Sequence, residues 1–149
     1  MEFKCATIND LSSRELVACF RLRSDVFVVE QNCVYPDIDD KDLEAHHLLM
    51  LDSGKLLGYC RILAPGLSYK EPSIGRVVVK PSERGKNLGR ALMKQSIHQT
   101  RELYQNQDIV ISAQRYLEKF YTGLGFESEG EGYDEDGIPH IKMRLKTKT

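Results

Sequence analysis

The chain has 149 residues, 41% of them hydrophobic and 29% charged, with a formal net charge of −1. That length suits one domain with a core of its own, and the composition is that of an ordinary globular protein. A near-neutral balance argues against a globally basic surface for nucleic acid or membrane, and no apolar run approaches the roughly 20 residues that span a bilayer.

The four cysteines, Cys5, Cys19, Cys33 and Cys60, are scattered without a CxxC pair, and Met1 to Asn9 lacks the apolar stretch of a secretion signal. The expectation is a cytoplasmic chain with free thiols.

Phe3 to Ile8 alternates as a strand does. Ser12 and Glu15 then make a capping box ahead of Leu16, Val17, Phe20 and Phe27, which predicts a helix. Asn32 to Glu44 is polar and acidic, hence a loop. His47 to Asp52 and Lys55 to Leu63 are apolar runs joined by Asp-Ser-Gly, the chemistry of a hairpin. A Pro/Gly-marked loop precedes the strand Ile74 to Lys80. Leu92, Met93, Ser96, Ile97, Thr100, Leu103 and Tyr104 share one helical face.

Asp108 to Ala113 reads as a buried strand, Tyr116 to Leu124 as a short helix stopped by glycine, and Phe126 as the start of another strand. Gly132 to Gly137 is expected to be a turn-rich connection before a last strand, Ile138 to Leu145. The order β-α-β-β-β-α-β-α-β-β implies one parallel strand pair around a crossover helix and antiparallel neighbours elsewhere. The fold class is therefore α/β (α+β), with a mixed, mostly antiparallel central sheet flanked by helices.

The segment VVVKPSERGKNLGRALM, Val77 to Met93, breaks a valine strand at Pro81 and opens a helix after basic and glycine residues. A helix start offers unpaired N–H groups and partial positive charge, an anion site. Gly85 and Gly89 allow close backbone approach, and Arg84, Lys86 and Arg90 add charged donors. GxGxxG is excluded by Lys86–Asn87, and a P-loop by the Arg90 and Ala91 that follow Gly89.

Arg84-Gly85-Lys86-Asn87-Leu88-Gly89 resembles the pyrophosphate motif of the acetyl-CoA-dependent N-acetyltransferase (GNAT) superfamily, with Asn87 in place of its first glycine. Asn is the residue after glycine that best tolerates left-handed backbone angles. Phe120-Tyr121-Thr122-Gly123-Leu124-Gly125-Phe126 is similar to that family's FYxxxGF motif, and Leu22 to Leu49 resembles its ElaA-like subgroup.

The resemblance implies direct transfer of an acetyl group from acetyl-CoA to a primary amine, with no metal. The pyrophosphate would lie on Arg84, Gly85, Lys86, Asn87, Leu88, Gly89 and Arg90. The pantetheine arm would lie on the backbone of Val77, Val78 and Val79, with Gln114 as a further contact. Tyr121 would protonate the departing thiolate as general acid. The implied partners are acetyl-CoA and a small-molecule or peptide amine, bound by a monomer or homodimer.

An amine of pKa about 10.4 is almost wholly protonated at neutral pH, so a base is needed. Glu30, Asp42, His46 and His47 are the candidates, alongside water. Glu30, Asp42 and His47 are taken as acceptor-binding residues.

Asp37, Asp39, Asp40, Asp42 and Glu44 form an acidic run that fails the EF-hand spacing. It reads either as a solvated loop or as an anionic rim for cationic amines. Arg61 and Arg76, placed in strands, are expected to pair with carboxylates. Two alternatives to the enzyme are carried forward: a non-catalytic CoA-sensing module and an acyl-homoserine-lactone-synthase-like acyltransferase.

Overall fold

A computed structural model describes residues 1–147. Its strands are β1 (Glu2–Thr7), β2 (His46–Asp52), β3 (Lys55–Leu63), β4 (Ser73–Val79), β5 (Ile109–Gln114), β6 (Glu127–Glu135) and β7 (Ile138–Leu145). They form one seven-stranded sheet in the order β1-β2-β3-β4-β5-β7-β6. Among the described residues only β4 and β5 run parallel. The helices are α1 (Ser13–Arg23), α2 (Lys41–Glu44), α3 (Leu88–Leu103) and α4 (Glu118–Thr122). This is the mixed, mostly antiparallel α/β architecture expected from the element order.

Strand alternation sends each side chain to one of two cores. Leu48, Met50, Cys60, Ile62, Ile111, Ala113, Ile141 and Met143 pack on one face against Leu92 and Met93 of α3 and Tyr121 of α4. Leu49, Tyr59 and Val78 point the other way, against Cys19 and Leu22 of α1 and Val26 and Phe27 beyond it. The sheet thus has an α3 face and an α1 face.

The capping box forms as expected: the Glu15 N–H donates to Ser12 Oγ at 3.1 Å, and the Ser12 N–H donates to Glu15 Oε1 at 2.9 Å. After Arg23 the helix widens through Ser24–Glu30, where the Gln31 N–H bonds the Val26 carbonyl at 3.0 Å. Two expectations need correction. The acidic loop contains the short helix α2. The segment expected as a turn, Gly132 to Gly137, is strand as far as Glu135, and the turn is confined to Asp136 and Gly137, both at positive φ. β6 is exposed and polar along its length, so it carries no apolar alternation to reveal it; pairing with β7 makes it a strand.

Within the acidic run Asp37 and Asp42 are buried and Asp39 is half-buried, while Asp40 and Glu44 stay exposed. Arg23 is fully buried, and all five of its N–H donors are used. Nε bonds Asp37 Oδ2 at 3.0 Å, Nη1 bonds Asp42 Oδ1 at 2.6 Å and Tyr59 at 3.3 Å, and Nη2 bonds the Asp37 carbonyl at 2.7 Å and Asp42 Oδ2 at 3.1 Å. Arg61 bonds Asp39 at 2.7 Å and Asp42 at 3.1 Å, as expected of a strand arginine. The Tyr59 hydroxyl donates to His47 Nδ1 at 2.6 Å, and His47 Nε2–H donates to the Asp42 carbonyl at 3.0 Å, which sets the neutral tautomer.

Removing one partner of such a dry network leaves an uncompensated charge. Asp42→Asn is expected to lose about 3–5 kcal/mol of stability, read as a lowered denaturant midpoint. The acid response follows from the same groups. Burial lowers the His47 pKa, so its contribution is complete above the unfolded value of about 6.5 and is lost as pH falls through it. Burial pushes the Asp42 carboxyl up, but the hydrogen bonds from Arg23 and the Asp39 N–H outweigh it and hold it low. A second loss therefore begins below about pH 3.9. Thermal unfolding across the acid range should show both steps, and His47→Gln should lack the first.

Candidate active site

β4 and β5 share one pair, Ser73 with Val110, supported by a 3.0 Å bond from the Val110 N–H to the Pro72 carbonyl. Beyond it they part. The cause lies on β4, which between its Gly75–Arg61 and Val78–Tyr59 pairs carries one residue more than β3. This bulge holds Arg76 at φ 52, a strained angle for arginine. Ion pairing holds it there: Arg76 Nη2 donates to the Asp37 carbonyl at 3.0 Å, and Nε lies 2.9 Å from Asp37 Oδ1. The guanidinium also lies 5.5 Å from the Tyr35 ring centroid.

The parted strands enclose a cleft of about 1060 Å³. Val77, Val78 and Val79 line one wall, and Ile111, Ser112 and Gln114 the other. From Ile74 onward β4 pairs with β3 alone among the described residues, so its cleft edge has unpaired backbone groups. An extended ligand can bond such an edge as an added strand.

On the α3 side, β4 runs through Pro81–Glu83 into the Arg84–Asn87 loop and then α3. Asn87 sits at φ 59, ψ 22, in the left-handed region, and Gly85 at φ 85. The residue standing in for glycine adopts a backbone angle glycine would favour, so the loop keeps its bend. No side chain caps α3 and no acidic residue occupies its first turn, which leaves its leading N–H groups open to an anion. Gly85, Lys86, Asn87 and Arg90 are exposed, while Leu88 and Gly89 are half-buried. Gly89 also lines the cleft.

Arg84 does not stand free. Its Nη1 and Nη2 grip both oxygens of Glu30, at 2.7 and 2.5 Å. Glu30 therefore lines the cleft as the counter-ion of the anion loop, and the hydrogen bond from Arg84 holds its carboxyl below the usual range. Lys86 is paired with Glu83 at 3.0 Å.

Tyr121 lines the cleft on the α3 face with 6% of its surface exposed, set edge-on to Phe120 (5.1 Å) and Phe126 (5.9 Å). Burial pushes its phenol well above the usual tyrosine range. Gln114 points to the α1 face, where its amide exchanges hydrogen bonds with Gln31 at 3.3 and 3.4 Å. That contact ties the residues after the widened helix to β5, and the Cys33 Sγ, donating to the Asp136 carbonyl at 3.3 Å, ties them to the β6–β7 turn.

Asp42 and His47, expected at the acceptor site, are not cleft residues. Both are buried in the arginine network, with 2% and 0% of their surface exposed. The counter-charges of Asp42, Arg23 on α1 and Arg61 on β3, lie 19 residues before and after it. The α1-face wall of the cleft contains groups the sequence reading missed, Gln31, Tyr69, Ser112, Glu135 and His140, beside Arg76, which pairs with Asp37 and Asp39 as expected. The acidic DEDG hairpin tip was the available signal for Glu135, but taking it as part of a loop concealed that its side chains alternate along a strand.

Residues 10–147 match the family model described as the acetyltransferase (GNAT) domain. The chain belongs to the GNAT acetyltransferase family. Within that family it is 40% identical to a UPF0039 protein of Schizosaccharomyces pombe, over 98% of this chain and 97% of the relative. A solved acyl-CoA N-acyltransferase of Pseudomonas aeruginosa superposes with a TM-score of 0.91 at 40% identity, covering 97% of this chain and 98% of that one. ElaA of Escherichia coli superposes at 0.90 with 37% identity, covering 97% and 99%. The acyl-homoserine-lactone synthase LasI, at 14% identity and a TM-score of 0.79, shares the fold alone.

An anion that binds Arg84 would compete with Glu30, which occupies both of its terminal nitrogens. Glu30→Gln is expected to tighten coenzyme A binding by about threefold at low salt, as befits an exposed ion pair, and Arg84→Gln to weaken it. Isothermal titration calorimetry with coenzyme A measures both.

Proposed function

We propose that the protein transfers an acetyl group from acetyl-CoA to a primary amine by direct attack within a ternary complex. The observation that carries this reading is the continuity of the α3-face path. The unpaired edge of Val77 to Val79 leads through the Arg84–Asn87 bend to an uncapped helix start. A pantetheine arm needs the first and a pyrophosphate the second. Arg84 and the leading N–H groups of α3, with Lys86 and Arg90 close by, supply donors for the phosphates. An N–H of the β4 edge, at Val78 or Val79, would stabilise the tetrahedral oxyanion.

Tyr121 is the proton donor to the departing sulfur. Its phenol, raised by burial, stays protonated at neutral pH. A free thiol has a pKa of about 8.5, so full transfer from a weaker acid is uphill by about 1.4 kcal/mol per unit of difference. The phenol therefore works first as a hydrogen-bond donor to developing thiolate charge, and proton transfer completes as the C–S bond breaks.

Calorimetry with acetyl-CoA should detect binding, and thiol release should depend on an added amine. Tyr121→Phe is expected to lower turnover about a hundredfold while leaving the affinity for coenzyme A near that of the native chain. Absence of binding to coenzyme A or any acylated form would overturn this function.

A further inference from the structure

We propose that Glu135 and His140 form the acceptor's ammonium site, and that His140 takes the proton that frees the amine for attack. This deepens the acyltransferase reading above and rests on it. The two residues lie on the sheet face opposite the coenzyme cradle. Ile111, Ala113 and Ile141 point into the α3-face core, so Ser112, Gln114 and His140, which alternate with them, point to the α1 face. Gln114 confirms the direction by bonding Gln31, and Glu135 and His140 both line the cleft. An amine entering from the α1 face would meet a thioester that reaches through the gap from the α3 face.

The chemistry lies in an unmatched pair of acceptors. His140 Nδ1–H donates to the Ile138 carbonyl at 2.7 Å, so in the neutral ring Nε2 carries the lone pair. That nitrogen lies 3.4 Å from Glu135 Oε2, and a carboxylate has no hydrogen to offer it. At that separation a donor cannot lie on the line between the two acceptors but can bond both from the side, and an alkylammonium, with several N–H groups, supplies it.

The other carboxylate oxygen is already served. Tyr133 and Ser112 are hydrogen-bonded at 2.5 Å, and Ser112 Oγ donates to Glu135 Oε1 at 3.3 Å. Tyr133 also stacks on the imidazole, with centroids 6.2 Å apart and planes 22° from parallel, which fixes the ring. The His140 side chain is 8% exposed and that of Glu135 47%, so a ligand can reach the carboxylate while the ring stays sheltered. Arg115 of the turn before α4 and Asp134 of β6 line a second, smaller pocket with His140, and Asp136 lines the cleft with it.

In the reaction R–NH₃⁺ gives one proton to His140 Nε2, and the imidazolium is held by the Glu135 carboxylate. The freed nitrogen lone pair forms the N–C bond at the thioester carbonyl, and the C–S bond breaks. Of the two protons the nitrogen loses, one passes through His140 to solvent and the other, by way of water, replaces the proton that Tyr121 gives to the coenzyme A thiol. The site selects primary alkylammonium acceptors over neutral or anionic ones.

The test is histidine-ring NMR on the coenzyme A-saturated chain titrated with n-butylammonium, with the His140 signals identified from His140→Gln. The expected result is a saturable shift of the His140 ring signals that is lost in Glu135→Gln, a variant with an exposed side chain that should fold normally. With acetyl-CoA and n-butylamine, both variants should release thiol about a hundredfold more slowly at unchanged coenzyme A affinity. A chain that binds coenzyme A but shows no ammonium-dependent His140 shift, or variants that match the native rate, would overturn the ammonium site and leave the acyltransferase reading standing. A chain that binds no coenzyme A overturns that reading itself.

Discussion

Asp37 is the hinge of this molecule. Its side chain and carbonyl hold Arg23 from α1 on one side and Arg76 from the β4 bulge on the other. Without that double grip an arginine at a left-handed backbone angle has no reason to stay there, and the extra residue of β4 would not be held in place. The bulge in turn lets β4 leave β5 after a single pair. The cleft is therefore a consequence of charge pairing by the buried Asp37, whose partner Arg76 itself lines the cleft.

The parting of two parallel strands also makes the sheet permeable. A donor and an acceptor can approach from opposite faces and meet between β4 and β5. On the α3 face stand the open helix start, the Arg84–Asn87 bend and Tyr121. On the α1 face stand Gln31, Gln114, Ser112, Glu135 and His140. In the proposed reaction the proton donor for the leaving group and the proton acceptor for the nucleophile would belong to different elements and different environments. Tyr121 sits among aromatic rings, while His140 faces a carboxylate.

Most of the fold was legible in the residue order because its elements announce themselves locally. The Ser12–Glu15 box closes within three residues, and the apolar face of α3 repeats within each turn. The backbone angle at Asn87 was readable for the same reason, since tolerance of that conformation belongs to the residue itself. β6 was misread between Gly132 and Glu135, where an exposed strand carries no apolar alternation. The acidic loop was misread because carboxylates in a sequence show their charge and not their counter-charge. Asp42 looks like a rim residue until Arg23 and Arg61, 19 residues before and after it, fold onto it.

Residue order alone indicated most of the strand and helix sequence, the single crossover between parallel strands and the glycine-containing bend that opens α3. Each of these depends on hydrogen bonds or periodicity spanning a few residues. Tertiary structure alone decided which charged groups are internal struts and which face the cleft, that Glu30 is the counter-ion of Arg84, and that Glu135 meets His140. Those pairings are set by strand register and by the twist of a bulge, and they join groups whose distance along the chain says nothing about their distance in space.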